Sequence, residues 1–459
     1  MNTKVKRNLF PICLLGAWLA FALTSEAQPV TKIAAGRLHS LFLKSDGSLW
    51  AMGWNQDGGL GDGTTSNTNR PEQIIASNVT AIAAGYAHSL FLKSDGSLWA
   101  MGDNSYGQLG DGTYTHTNLP EQIIASNVTA IAAGQFHSLF LKNDGSLWGM
   151  GYNLFGQLGN GTYNNASPYG TNRPQLILTS NVTAIAAGAI HSLLLKSDGS
   201  LWAMGDNGLG ELGDGSFGNK TNLPELVLSS NVMAIAAGQF DSFFIQTNGS
   251  LWATGDNNHG QLGDGPNFDP VSPQQIVASN VTAIATAGDV SPSATGHSLF
   301  LKSDGSLWVM GDNSYGALGD GTYNQTNLPE QIMGSNVTAI AAGAFHSLFL
   351  KSDGSLWVMG YNGVGQLGDG TFNNTNRPEQ IVVNQSYNKI SSQLLSKSSV
   401  SLSFFGNAGA NYALDRSFSL SPANWIPQAT NPANSFGALA FTNTPVATTN
   451  NFWRIRSVP

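Results

Sequence analysis

One motif sets the limits on what this chain can fold into. The segment His88–Thr113, HSLFLKSDGSLWAMGDNSYGQLGDGT, returns seven times with small changes. The tryptophan of each copy marks the count: Trp50, Trp99, Trp148, Trp202, Trp252, Trp308 and Trp357, spaced by 49, 49, 54, 50, 56 and 49 residues. A period near 50 with strand-like content predicts a propeller or a solenoid, because one such unit cannot bury its own apolar face.

Within a copy the elements are short. Thr80–Ala84 is a strand that ends at Gly85, and a brief connection leads to His88. Ser89–Lys93 alternates, and the Asp95-Gly96 pair that follows predicts a two-residue hairpin turn into Ser97–Met101. The glycine-rich loop Gly102–Thr113 comes next. Pro120–Ile124 is a fourth strand, placed at a sheet edge because its proline has no donor. Ser126-Asn127 turns into the next copy. Four antiparallel strands taken seven times predict an all-β, seven-bladed β-propeller. A linear solenoid would need atypical polar caps. The first copy has no preceding Pro-Glu-Gln-Ile strand and the last is followed by one, Pro378–Ile381. The short Ser-Asn link favours a clasp, in which that last strand completes the first blade.

The units Ala-Gly-x-x-His-Ser-Leu, Asp-Gly-Ser-Leu-Trp and Asn-x-x-Gly-Gln-Leu-Gly-Asp-Gly-Thr closely resemble the repeat of the regulator of chromosome condensation (RCC1) family. The resemblance covers about residues 31–383 and implies a seven-bladed propeller. It also implies a range of activities, from nucleotide exchange on a small GTPase to secreted propellers that cap an enzyme.

The N-terminus has the pattern of a signal peptide. Lys4, Lys6 and Arg7 precede the apolar run Leu9–Leu23, and Ser25-Glu26-Ala27 fits a cleavage site near Ala27. The run is short for a membrane span. The single cysteine, Cys13, lies within it, so a processed chain has no disulfide and no thiol nucleophile. Processing takes the net charge from −8 to −10. An acidic exported chain is a poor partner for a phosphate backbone, so no nucleic-acid partner is expected. These features predict a secreted, cell-surface or periplasmic monomer of bacterial type.

The domains expected are a signal peptide (1–27), the propeller (28–383), a polar linker (384–398) and a small C-terminal β domain (399–459). The last is read as sandwich-like from Leu402–Gly406, Tyr412–Leu414, Trp425, Gly437–Phe441 and Phe452–Ile455.

Candidate function lies where the repeat varies. The Asp-Gly and Ser-Asn turns fall on one rim and hardly change. The Ala-Gly-x-x-His links and the long loops fall on the other, and there aromatic residues gather. Trp54, Tyr106, Phe155, His259, Tyr315 and Tyr361 are the candidate binding residues, with Tyr152, Phe136, Phe240 and Phe345 nearby. Aromatics on short loops offer large rigid area for sugar stacking or protein contact. A second set after Gly-Asp-Gly (Tyr114, Tyr163, Phe217, Phe268, Tyr323, Phe372) is expected to plug gaps between blades.

The recurrent histidines (His39, His88, His137, His191, His297, His346) are each expected to bond a loop carbonyl of their own blade, not a metal. The repeated loop aspartates are read as turn chemistry, not calcium ligands. Neither a metal nor a cofactor is expected. No nucleophile elbow or Cys–His pair is present, and repeated scaffold is a poor place for a unique acid–base pair. The function expected is a non-catalytic scaffold binding a protein or glycan partner. A polysaccharide-acting enzyme such as a lyase is the alternative, and exchange on a small GTPase stands third. Two breaks in the repeat, Asn164–Asn172 and Asp289–Gly296, are further leads.

Overall fold

The computed structural model describes residues 28–265, 270–289 and 296–381 in full. It also describes six backbone strands between 391 and 458. The signal-peptide segment, Phe268, Trp425 and residues 290–295 of the second repeat break lie outside the described residues.

Seven four-stranded antiparallel sheets form the seven blades. Blade one consists of β1 (Val30–Ala35), β2 (His39–Lys44), β3 (Leu49–Gly53) and β4 (Thr68–Ile75), paired in chain order. Blade two repeats this with β5 (Val79–Ala84), β6 (His88–Lys93), β7 (Leu98–Gly102) and β8 (Thr117–Ile124). The first strands of all seven blades line the axis, and the fourth strands, six of which carry a proline, form the outer edge.

Every blade is self-contained, which corrects the expected clasp. The final strand, Thr375–Ile381, pairs with Leu356–Gly360 of its own blade. The Ser-Asn link can be short because it crosses beside two hairpin turns. Asn78 adopts a left-handed conformation (φ 69°). Val79 N donates to Gly47 O of blade one at 3.0 Å, and Ser94 N of blade two donates to Asn78 O at 2.9 Å.

The ring closes instead by packing. Val30, Phe42, Trp50 and Met52 of blade one bury against Leu348, Leu350, Leu356, Val358, Leu367 and Ile381 of blade seven. The other six seams have the same composition, so the core is seven interfaces, not one centre. In the second seam Leu90, Leu98 and Leu109 of blade two meet Phe140 and Met150 of blade three. Truncating such a phenylalanine to alanine costs about 3–5 kcal/mol.

The Asp-Gly turns also differ from expectation. Lys93 N bonds Ser97 O at 3.1 Å and Gly96 N bonds Lys93 O at 2.9 Å, so the loop holds three residues. Only Gly96 has positive φ (74°). This is a type I turn closed by a glycine bulge. Asp95 stays right-handed because its carboxylate accepts from Ser97 N at 2.9 Å and Ser97 Oγ at 2.6 Å.

Beyond the propeller, six strands form two three-stranded antiparallel sheets. The first of them, Ser391–Ser396, lies inside the stretch that the sequence reads as a linker, and it pairs with Ser399–Phe405.

Candidate functional site

The most repeated residues build the frame. Each tryptophan stacks on a phenylalanine or leucine of the neighbouring strand; Phe91 and Trp99 are 6.0 Å apart and 10° from parallel. Trp99 Nε1 donates to Ser97 Oγ at 2.9 Å, and Lys93 Nζ lies 3.8 Å from the Trp99 ring centre. The loop asparagines are hubs. Asn104 Oδ1 accepts from Leu109 N at 3.1 Å, while its amide donates to Asp111 Oδ1 at 3.1 Å. Asp111 also accepts from Thr113 N at 2.7 Å and Thr113 Oγ1 at 2.7 Å, so both carboxylate oxygens are engaged within the turn.

The histidines do not bond a carbonyl of their own blade directly, contrary to expectation. His39 Nε2 lies 2.9 Å from Ser89 Oγ of the next blade, and Ser89 Oγ donates to Gly59 O back in the first blade at 2.7 Å. The serine proton is used on the carbonyl, so histidine must supply Nε2–H. The same relay joins His88 to Ser138, His137 to Ser192, His297 to Ser347 and His346 to Ser40, and His191 Nε2 lies 3.0 Å from Ser242 Oγ. Burial lowers the histidine pKa values, to about 3 for His39, His137 and His346 and about 4 for His88, His191 and His297. The rings are neutral struts between blades.

The fifth seam is built differently. Asp241 stands where the other blades have histidine, and its Oδ1 accepts from Thr286 Oγ1 at 2.8 Å. Burial raises the Asp241 pKa to about 7. Blade four has its own departure. Elsewhere Gln108 Nε2 donates to Asp103 Oδ2 at 2.6 Å and Gln261 Nε2 to Asp256 Oδ2 at 2.8 Å. Glu211 occupies that glutamine position opposite Asp206, and burial pushes its pKa up to about 8.

The variable positions lie on the face that carries the links and long loops, as Asp103 N to Ala87 O (3.0 Å) and Trp54 N to Leu38 O (2.8 Å) show. Tyr106 contacts Tyr152 at 4.7 Å and Phe136 at 5.4 Å between ring centres. Tyr152 reaches Phe155 at 6.1 Å, and Phe136 reaches Tyr86 at 5.1 Å. On the other side Tyr315 meets Tyr361 at 5.0 Å and Phe345 at 5.4 Å.

Arg37 joins the two groups. Its guanidinium lies 4.7 Å from the Tyr86 ring centre and 5.8 Å from that of Phe345. It also makes a bidentate pair with Asp289 of blade six, Nε to Oδ1 at 2.9 Å and the second nitrogen to Oδ2 at 2.8 Å. Gln135 of blade three donates to Gly288 O at 3.2 Å. These bonds reach over the mouth of an axial cavity of about 170 Å³, lined by the ends of the inner strands.

Of the six candidate residues, Tyr106, Phe155, Tyr315 and Tyr361 therefore share one arc. Trp54 and His259 stand on equivalent loops outside these ring contacts. Trp54 Nε1 donates to Asp57 Oδ2 at 3.3 Å, and His259 N to Gln261 Oε1 at 2.9 Å. Of the residues after Gly-Asp-Gly, Phe217 (72 % exposed), Phe372 (55 %) and Tyr323 (53 %) do not plug the seams, whereas the half-buried Tyr163 crosses to the next blade and donates to Lys220 O at 3.2 Å. The seams are already filled, since Leu109 of the Gln-Leu-Gly unit and Met150 of the next blade occupy that space. Sequence reasoning passed over Arg37 and Tyr86. Both occupy the first variable place of the Gly-x-x-His link, where Gln135, Ala189 and Ala344 stand in other blades. The lone cation at that register was the available signal.

Residues 18–232 and 170–396 match the family model of the RCC1-like domain. The chain belongs to the RCC1-like domain family. Among solved RCC1-like and related structures, human WBSCR16 is similar at 25% identity, with 71% of this chain and 87% of that chain covered and a TM-score of 0.61. Prp20p from Saccharomyces cerevisiae is similar at 22% identity, over 74% of this chain and 87% of that chain, with a TM-score of 0.65. The X-linked retinitis pigmentosa GTPase regulator homolog of Caenorhabditis elegans is 51% identical over 41 residues, which are 9% of this chain and 3% of the worm protein. The RCC1-like fold is thus common ground, and the aromatic arc is what this chain's own residues place on it.

Proposed function

We propose that this RCC1-like propeller is an exported, non-catalytic scaffold that binds a protein or glycan partner through the aromatic arc. One observation carries the reading: Phe155, Tyr152, Tyr106, Phe136, Tyr86, Arg37, Phe345, Tyr361 and Tyr315 run as a continuous series of ring and cation contacts across one face. The rings are held by neighbours and lose little entropy on binding, which is how aromatic anchors act in interfaces. The opposite rim repeats one turn seven times and offers no such variation.

Lys4, Lys6, Arg7, the apolar run Leu9–Leu23 and the site near Ala27 support export of a bacterial-type protein. The strands between 391 and 458 support a small β-sandwich-like module attached to the propeller. The carboxylates of Asp103, Asp111 and Asp256 are engaged in loop hydrogen bonds, which fits support more than turnover.

The test is capture of partners from the extracellular fraction of the source cells, alongside a glycan array. Wild-type chain is compared with Tyr106→Ala and Tyr315→Ala. Loss of a captured protein or glycan in both variants supports the reading; capture unchanged in both rejects the arc as the binding surface.

A further inference from the structure

We propose that the partner seated on the arc is a basic polypeptide segment, with an arginine or lysine side chain placed between the Tyr86 and Tyr106 rings and the Asp57 carboxylate, within the field of Asp103. The inference rests on the arc being the binding surface, and it adds the chemistry of the occupant.

The charge of the face is the first argument. Burial raises the pKa of the Tyr86 hydroxyl; Arg37 works against that rise, and the carboxylates of Asp289, Asp57 and Asp103 add to it. Lys44, Lys93, Lys142, Lys196, Lys302 and Lys351 each lie over the tryptophan of their own blade, beside the Asp-Gly turns of the opposite rim. These six lysines are thus kept from the arc, Lys220 sits only at its far end, 5.3 Å from the Phe155 ring centre, and Arg37 at its centre is neutralised by Asp289.

Arg37 also shows how the face holds a cation. Its guanidinium lies over one ring, close to a second, and forks onto a carboxylate. Ring faces attract cations, and a carboxylate matches guanidinium geometry in two parallel bonds. One step along the arc Asp57 offers a carboxylate, and Asp103 adds its charge while its own oxygens are held by Ser105 and Gln108. There His116 bridges the two carboxylates, at 3.4 Å from Asp57 and 3.3 Å from Asp103, with 43 % of its side chain exposed. Such an exposed side chain can swing aside for an incoming cation. A neutral glycan would use the rings but not the carboxylates, and an anionic one would be repelled by them.

The experiment titrates the full chain with a labelled twelve-residue peptide rich in arginine and lysine. The comparison probes are its glutamine-substituted analogue and neutral and anionic oligosaccharides, read by fluorescence anisotropy. The expected result is binding of the basic peptide, at least about tenfold weaker binding of the glutamine analogue, and a loss of about threefold or more in each of Tyr106→Ala and Asp57→Asn. Asp46→Asn on the opposite rim should leave affinity unchanged. Melting curves confirm that each variant is folded. If the glutamine analogue or an oligosaccharide binds as well, and Tyr106→Ala still abolishes it, the basic partner is overturned and the arc stands. If the basic peptide binds equally to wild type and Tyr106→Ala, the attraction is diffuse, and both the basic seat and the arc fall. Failure of the basic peptide to bind also overturns the proposal.

Discussion

His346 Nε2 lies 2.9 Å from Ser40 Oγ, and this bond ties the last blade to the first. Ser40 Oγ then donates to Gln366 O of blade seven at 2.8 Å, so the closing seam has the same relay as four of the seams inside the ring. No strand is exchanged, and closure combines side chains 306 residues apart with main-chain bonds such as Val30 N to Gly354 O at 3.1 Å and Gly370 N to Asn69 O at 2.8 Å.

Ser40→Ala should therefore weaken closure specifically. It leaves the Gln366 carbonyl and the His346 N–H buried without this partner, at a cost of about 1–3 kcal/mol. Chemical denaturation measures the loss. Hydrogen exchange should show the first and seventh blades opening ahead of the third and fourth.

The six strut histidines should make the propeller sensitive to acid. In the fold they are held neutral, with pKa values of about 3 to 4, while in the unfolded chain they titrate near 6.5. Below pH 6.5 the unfolded state binds protons that the native state does not. The stability the histidines contribute is thus complete above pH 6.5 and falls steadily toward pH 4. A series of thermal melts from pH 7.5 to 4.5 should show the decline. A melting temperature independent of pH over that range would contradict the buried neutral rings.

Glu211→Gln should stabilise the protein at alkaline pH. The Glu211 pKa is raised to about 8 by burial, so the native state keeps a proton that the unfolded chain has lost above about pH 4.5. Stability from this group falls between pH 4.5 and 8 and is gone above. Glutamine restores the amide donor that blades two and five use toward Asp103 and Asp256. The gain at pH 8.5 should be roughly 2–4 kcal/mol, with little change at pH 4.5.

Arg37→Met should loosen the mouth of the axial cavity. Asp289 has 3 % of its side chain exposed, so its carboxylate would be left without the charge that holds it. Breaking a buried pair from one side costs about 3–5 kcal/mol. Arg37 itself is 25 % exposed, so the lower end of that range applies. The loss should shrink when Asp289→Asn is added, in a double-mutant cycle.

Much of this architecture was legible in the residues. The seven tryptophans counted the blades, the Asp-Gly and Ser-Asn pairs placed one set of turns, and the proline put the fourth strand at the edge. Those features are local: a turn residue or a missing donor acts on its own segment. The clasp and the histidine bonds were misjudged for one reason. Both concern neighbours in the ring, and a repeat pattern does not say whether a contact is made within a unit or across to the next.

The site divides the same way. Aromatic residues at variable loop positions could be read directly, and four of the six, Tyr106, Phe155, Tyr315 and Tyr361, lie in one arc. The arc exists because Arg37 of blade one reaches Asp289 of blade six and lies between Tyr86 and Phe345. By itself the sequence determined the strands, their turns and their number, since periodicity and backbone preference act over a few residues. Only the closed ring decided which loops converge at the axis, because that depends on packing between segments some 250 residues apart along the chain.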